Sequence, residues 1–258
     1  MDSSVDSAGR NRILGALQPS VRALLMPSFE PVRLHMKEVL YEVHAPVKYV
    51  YFVLSGVASL IVNAKGDDGI EVATIGNEGM VGLPAFLGAE TAAMRVFVQV
   101  PGDALRMPVD MFRKHCASNE DLTKVLLRYT QVLMTQIAQS SACNRLHPID
   151  KRCARWLLMT HDRVQGDEFP MTQEFLSKML GARRGAVNVT ANALQRAGLM
   201  HYKRGVITIV DRDRLETAAC ECYGIVAAEY ERLFRRSSPG RRSTKRTSER
   251  TEKKKKGR

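Results

Sequence analysis

Two pairs of cations carry most of the chemistry this chain offers. Arg183 and Arg184 open one helical pattern, and Lys203 and Arg204 stand at the tip of a short hairpin pattern. From Pro170 to Arg204 there are six Lys or Arg against a single acid, Glu174. Cations gathered at a helix start and a hairpin tip suit phosphate oxygens, so nucleic acid is the expected partner. The plainer alternative is a pair of core helices and a surface hairpin. A second candidate group is Cys220-Glu221-Cys222, part of a possible metal or redox site. A helix through it turns the two thiols to different sides, and the five cysteines form neither an even framework nor paired C-x-x-C ligands. Neither a metal nor a cofactor is therefore expected. His35, His44 and His115 are isolated, as surface or packing histidines commonly are, a haem ligand being the alternative. There is no nucleophile elbow, phosphate loop, metal-ligand spacing or clustered His and carboxylate pair, which points to work by binding and not by catalysis.

The elements that position these cations can be read around them. Thr172 is an N-cap before a helix with Phe175, Leu176, Met179 and Leu180 on one face, and Gly181 ends it. In the next helix Val187, Ala191 and Leu194 face inward while Asn188, Asn192 and Arg196 face outward. So short a turn forces a steep crossing, with small Ser177 at the contact. Residues 199–202, 203–205 and 206–209 follow as strand, turn and strand. The segment reads as a winged helix-turn-helix.

Upstream, Leu14, Leu17, Val21, Leu24 and Leu25 predict a packing helix over 11–28. Five β-rich runs follow (39–43, 49–54, 57–62, 70–75 and 94–100), punctuated by glycine turns, as in an antiparallel barrel or jelly roll. Beyond Asp110, Leu122, Leu126, Tyr129, Leu133 and Gln136 recur at steps of four and three. That seam suits a long helix packed on its symmetry mate, the alternative being a helix laid on the barrel. His147-Pro148 breaks the pattern, placing a hinge at 145–149. The expected class is α+β, with boundaries at 1–28 (tail and packing helix), 29–110 (β-roll sensor), 111–144 (dimerisation helix), 145–234 (winged helix-turn-helix) and 235–258 (basic tail). The net charge of +12 sits mostly in that tail, where twelve Lys or Arg face two acids. The tail is too polar to fold and is expected to add salt-sensitive, sequence-independent affinity. A polar N-terminus, no membrane span and unpaired cysteines point to a cytoplasmic protein.

The order roll, long helix, hinge and winged helix resembles the Crp/Fnr family of transcription regulators. The likeness rests on Val50-Tyr51-Phe52-Val53-Leu54-Ser55-Gly56, on Gly79-Met80-Val81-Gly82 and on Thr172 to Leu199. It implies a cyclic-nucleotide-binding-like roll, a homodimer joined through Leu122, Leu126, Tyr129 and Leu133, double-stranded DNA as partner, and RNA polymerase as a further partner of an activator. It makes Arg184 the arginine that forks onto guanine, with Asn188 and Val189 also reading bases and Thr172, Gln173, Arg183, Lys203 and Arg204 on the backbone. Gly185 and Val189 stand where well-known members carry a glutamate and an arginine, so the operator differs. Members that bind cyclic AMP hold its ribose with a glutamate and its phosphate with an arginine. Leu83-Pro84 occupies the first position, Thr91 alone fits the second region, and Arg95 is the nearest cation. The implied pocket is Gly82, Leu83, Thr91 and Arg95, and its effector is expected not to be cyclic AMP. The alternatives are a cyclic-nucleotide switch with a relocated arginine, or a nucleoid-type binder acting through the tail. No cysteine precedes Cys116, so the cluster of the oxygen-sensing branch is not expected.

Overall fold

The computed structural model of the chain describes residues 8–62 and 69–235. The basic tail expected at 235–258 lies, apart from Arg235, outside the described residues. The N-terminal helix is broken in two, α1 (Arg12–Ala16) and α2 (Pro19–Leu25), followed by a 3-10 turn at Met26–Ser28. Pro19 has no N–H to continue the first helix and keeps Gln18 out of helical geometry (ψ 143°). Buried Asn11 anchors this segment, donating to the carbonyls of Val53 and Gly79 at 2.8 Å each while capping α1.

Two four-stranded antiparallel sheets form the roll. One is ordered β1 (Glu30–Leu34), β8 (Gly102–Pro108), β3 (Tyr49–Val53), β6 (Met80–Val81). The other runs β2 (Val39–Tyr41), β7 (Arg95–Val100), β4 (Val57–Val62), β5 (Ile70–Ile75). The short helix α3 (Leu83–Phe86) follows β6. Strands β1 and β8 escape the sequence reading because Pro31, Gly102, Asp103 and Pro108 signal turns. They pair along the whole of β1, and Arg106 forks onto Glu30 at 2.9 Å through Nε and Nη2. Gly102 is required: a Cβ there would lie 2.0 Å from the Ser55 carbonyl oxygen.

Helix α4 (Val109–Ser118) leads to the long α5 (Glu120–Leu146), whose Asn119 cap accepts from Leu122 N at 3.0 Å. Leu122, Leu126, Tyr129 and Leu133, the expected seam, are all buried in the protomer's own core with the roll, as the alternative of a helix laid on the barrel has it. Tyr129 Oη donates to the Met80 carbonyl at 3.1 Å, and Gln136 Nε2 donates to that of Thr74 at 3.0 Å. The side of α5 left in solvent carries Leu127, 55% exposed, and Met134, 65% exposed, with Gln131 and Ala138 between and beyond them.

Helix α6 (Ile149–His161) starts after His147-Pro148. The head continues with β9 (Glu168–Pro170), α7 (Gln173–Met179), α8 (Arg184–Arg196), β10 (Met200–Lys203), β11 (Val206–Ile209) and α9 (Arg212–Ala218). The last helix, α10 (Cys222–Phe234), returns along α5, and Val226, Tyr230 and Leu233 join the core of the roll, although a boundary at 234 places them with the head. Tyr230 Oη donates to Gln136 Oε1 at 2.8 Å, and Arg12 pairs with Glu231 at 2.8 Å. The cysteine expectation is corrected: Cys220 precedes the helix that Cys222 begins, so no helical turn separates their thiols. Among the described residues no helix is long and apolar enough to cross a membrane.

Candidate nucleic-acid interface

The steep helix pair is built as its spacing requires. Thr172 Oγ1 accepts from Phe175 N at 3.1 Å, Gly181 takes a left-handed φ of 55° in the turn, and α8 begins at Arg184. Val187, Thr190, Ala191 and Leu194 are buried, which turns Arg184, Asn188, Val189, Asn192 and Arg196 to solvent. Val189 is 68% exposed, with nothing among the described residues covering its methyls. Arg183 is the exposed N-cap residue. Asn188 Oδ1 accepts from Gln173 Nε2 at 3.0 Å and from Asn192 Nδ2 at 3.4 Å, so α7 and α8 share one polar face.

Strands β10 and β11 pair Lys203 with Val206 across a tight turn. Arg204 and Gly205 both adopt positive φ, 52° and 79°, the requirement of such a turn; arginine accepts it at a cost of about 1 kcal/mol. Two bonds that no sequence pattern signals fix the wing to the helices. Gln195 Oε1 accepts from Tyr202 N at 2.7 Å, and Met171 N donates to Gly205 O at 2.7 Å. The hairpin tip is thereby held beside the start of α8, with Lys203 and Arg204 exposed.

The head also lies against the roll. Phe175 meets Phe97 edge to face, centroids 5.7 Å apart, and Ile70 packs on the turn at Gly181. Between them an open cleft of about 610 Å³ is bounded by Met36, Lys37 and Gln99 of the roll and by Gln173, Arg184 and Arg204 of the head. Asn188 and Val189 lie outside it. A cleft of that size does not admit a duplex, whose major groove alone is about 12 Å wide.

The second site is a cavity of about 200 Å³ between the roll and α5. Its walls are apolar, including Leu60, Ile75, Leu83, Leu133, Met134 and Ile137. Gly82 and Leu83 line it, but Thr91 and Arg95 do not. Thr91 is exposed in a bridge to Pro46, and Arg95 is paired with Glu42 at 3.2 Å. The two polar groups at the wall are already bonded: Tyr41 Oη donates to Tyr49 O at 2.5 Å, and Thr130 Oγ1 to Leu126 O at 2.8 Å. Burial raises the Tyr41 phenol well above its ordinary range, so it stays neutral. Gly82 holds a φ of 117°, and a Cβ there would meet Tyr41 Oη at 2.6 Å.

Residues 31–119 match the model of the cyclic nucleotide-binding domain, and residues 151–218 that of the Crp-like helix-turn-helix domain. A comparison with curated protein sequences returns no match. Among solved structures the chain is similar to FixK2 from Bradyrhizobium japonicum, with a TM-score of 0.64 and 15% identity over 74% of this chain and 98% of that one. It is similar to TTHB099, a transcriptional regulator of the CRP family from Thermus thermophilus, with a TM-score of 0.61 and 17% identity over 73% and 96%. The c-di-GMP responsive global regulator CLP from Xanthomonas campestris aligns with a TM-score of 0.54 and 14% identity over 74% and 99%. At these identities the likeness is one of fold.

Proposed function

The chain belongs to the Crp/Fnr family of transcription regulators, and from that premise we propose that it is a homodimer that reads a near-palindromic operator and answers to a signal other than a cyclic nucleotide. The observation that carries the reading is the solvent-facing set Arg184, Asn188 and Val189 on one side of α8, flanked by Lys203 and Arg204. A guanidinium offers two parallel donors to guanine O6 and N7, an amide suits adenine, and an exposed valine suits a thymine methyl. Pairing two such heads about a twofold axis places half-sites about one helical turn, ~34 Å, apart. The exposed Leu127 and Met134 side of α5 supplies the apolar seam for that axis.

The apolar cavity argues against a cyclic nucleotide. Its phosphate keeps a negative charge, and burying that charge without a cation or fixed donors is costly. Docking of the head on the roll closes the Arg184 end of α8 toward Lys37, so DNA binding requires the head to turn away, and the roll is placed to govern that turn. Selection of duplexes from a random pool by the purified chain, followed by footprinting, tests the first part. Two symmetric half-sites are expected, and an asymmetric footprint from a monomer refutes the dimer. Titration calorimetry with cyclic AMP and cyclic GMP tests the second. Micromolar binding that Arg95→Ala abolishes would restore the relocated arginine.

A further inference from the structure

We infer that Cys143, His147, Cys220 and Cys222 form a structural zinc site that staples the end of the long helix to the start of the last one. Their ligand atoms all lie within 4.8 Å of one another. Cys143 Sγ is 3.5 Å from Cys220 Sγ, and Cys222 Sγ is 3.6 Å from His147 Nδ1. Bonds of about 2.3 Å to sulfur and about 2.0 Å to nitrogen at tetrahedral angles put neighbouring ligand atoms about 3.5 to 3.8 Å apart. Both measured edges fall in that interval, and a sulfur pair at 3.5 Å is far beyond a disulfide bond. Four ligand atoms packed this closely surround one ion and leave no room for a cluster of several metals.

The surroundings match a zinc site in three further respects. The donor set is three thiols and one imidazole, and the three cysteines are buried, which leaves no open position for substrate. His147 turns Nδ1 toward the thiols while its Nε2 meets Glu221 Oε1 at 3.1 Å, the carboxylate partner that fixes a ligating imidazole. Gln139 Nε2 donates to Cys222 Sγ at 3.0 Å, a bond that a thiolate accepts better than a thiol. Three thiolates on a dication leave one net negative charge. Two arginines stand near to balance it, since Cys143 feels the field of Arg155, and Arg152 the fields of Cys143 and Cys220.

The chain supplies these ligands from its two crossings between sensor and head. Cys143 and His147 are one helical turn apart at the end of α5, while Cys220 and Cys222 flank the start of α10. A metal there fixes the posture of the head at its attachment, where a signal from α5 must pass.

The test is metal analysis of the full-length chain, expressed with zinc in the medium and passed through gel filtration, together with cobalt substitution. One zinc per protomer is expected. Cobalt should give the visible bands of a tetrahedral site and intense thiolate-to-metal charge transfer. Cys222→Ser and His147→Gln should each lower zinc retention at least tenfold, while Cys116→Ser and Cys153→Ser leave it at one. If Cys222→Ser fails to fold, the wild-type stoichiometry and cobalt spectrum still decide. Well under one equivalent of zinc without cobalt bands, or a stoichiometry that survives both ligand substitutions, overturns the site.

Discussion

Trp156 Nε1 donates to Glu71 Oε1 at 2.7 Å, joining the first helix of the head to strand β5 of the roll across their buried contact. The other carboxylate oxygen of Glu71 has no partner among the described residues. Burial pushes the Glu71 carboxyl up to about 7 from 4.5, against the pull of bonds from Ser59 and Trp156 and of the Arg155 and Arg163 charges.

A raised carboxyl binds its proton more tightly folded than unfolded, so its contribution to stability is fully present below about pH 4.5 and is lost as pH rises through about 7. The shift is equivalent to about 3 kcal/mol. Glu71→Gln keeps a neutral acceptor for Trp156, and its denaturant midpoint should fall less than that of the wild type between those pH values. Parallel pH profiles would show that Glu71 does not titrate there.

A second tie between roll and head is ionic. Arg163 meets Glu78 Oε1 at 2.8 Å with both side chains buried, and Gly76 N donates to the same oxygen at 3.1 Å. Removing one partner strands a buried charge, so Glu78→Ala should cost about 3 to 5 kcal/mol in urea unfolding. The double variant Glu78→Leu with Arg163→Met should recover much of that loss. A double variant as unstable as the single one would mean that packing on Gly76, where a Cβ would touch Arg163 Cγ at 2.5 Å, matters more than charge.

Arg184→Ala should cost about 1 to 3 kcal/mol on the selected operator and little on unrelated duplex. Fluorescence anisotropy on both duplexes at one salt concentration measures this. Equal losses would make Arg184 a phosphate contact.

Phe97→Ala removes an edge-to-face contact worth about 1 kcal/mol from the docked head, so operator affinity should rise roughly fivefold. An unchanged or weaker affinity, at unchanged roll stability, would show that docking does not compete with DNA.

The face of α5 separates two roles that share one periodicity. Met134→Asp and Leu127→Asp should leave the thermal unfolding of the protomer nearly unchanged but shift it to monomer in sedimentation velocity, because both side chains are exposed. Leu126→Asp should unfold the roll instead.

The head is readable from sequence because its signals are local. A Thr172 cap, a Gly181 stop and the spacing of Val187, Ala191 and Leu194 all fall within one short segment. Strands β1 and β8 are stabilised by pairing with each other from distant parts of the chain, against their own turn-like composition, and no local pattern reports that. Periodicity along α5 says which side is buried and not by what, so residues that face the roll carry the same spacing as a dimer seam. The cysteine group is split between partners 77 positions apart, so Cys220-Glu221-Cys222 hints at half of it and no local pattern adds Cys143 and His147. Arg95 is the cation nearest in sequence to the pocket, but strand alternation sends it outward to Glu42 while Met94 and Val96 point in.

The return of α10 along α5 makes the sensor a discontinuous domain, with the head threaded into it as an insertion. The chain leaves the sensor at Leu146 and re-enters at Cys222, and the two crossings are neighbours. The sensor's core is thus complete only after the whole head has been made, so its last helix docks across a loop already closed by folding of the insert. Cutting the chain in the hinge yields two unsatisfied pieces: a roll lacking Val226, Tyr230 and Leu233, and a head trailing an amphipathic helix with nothing to cover it.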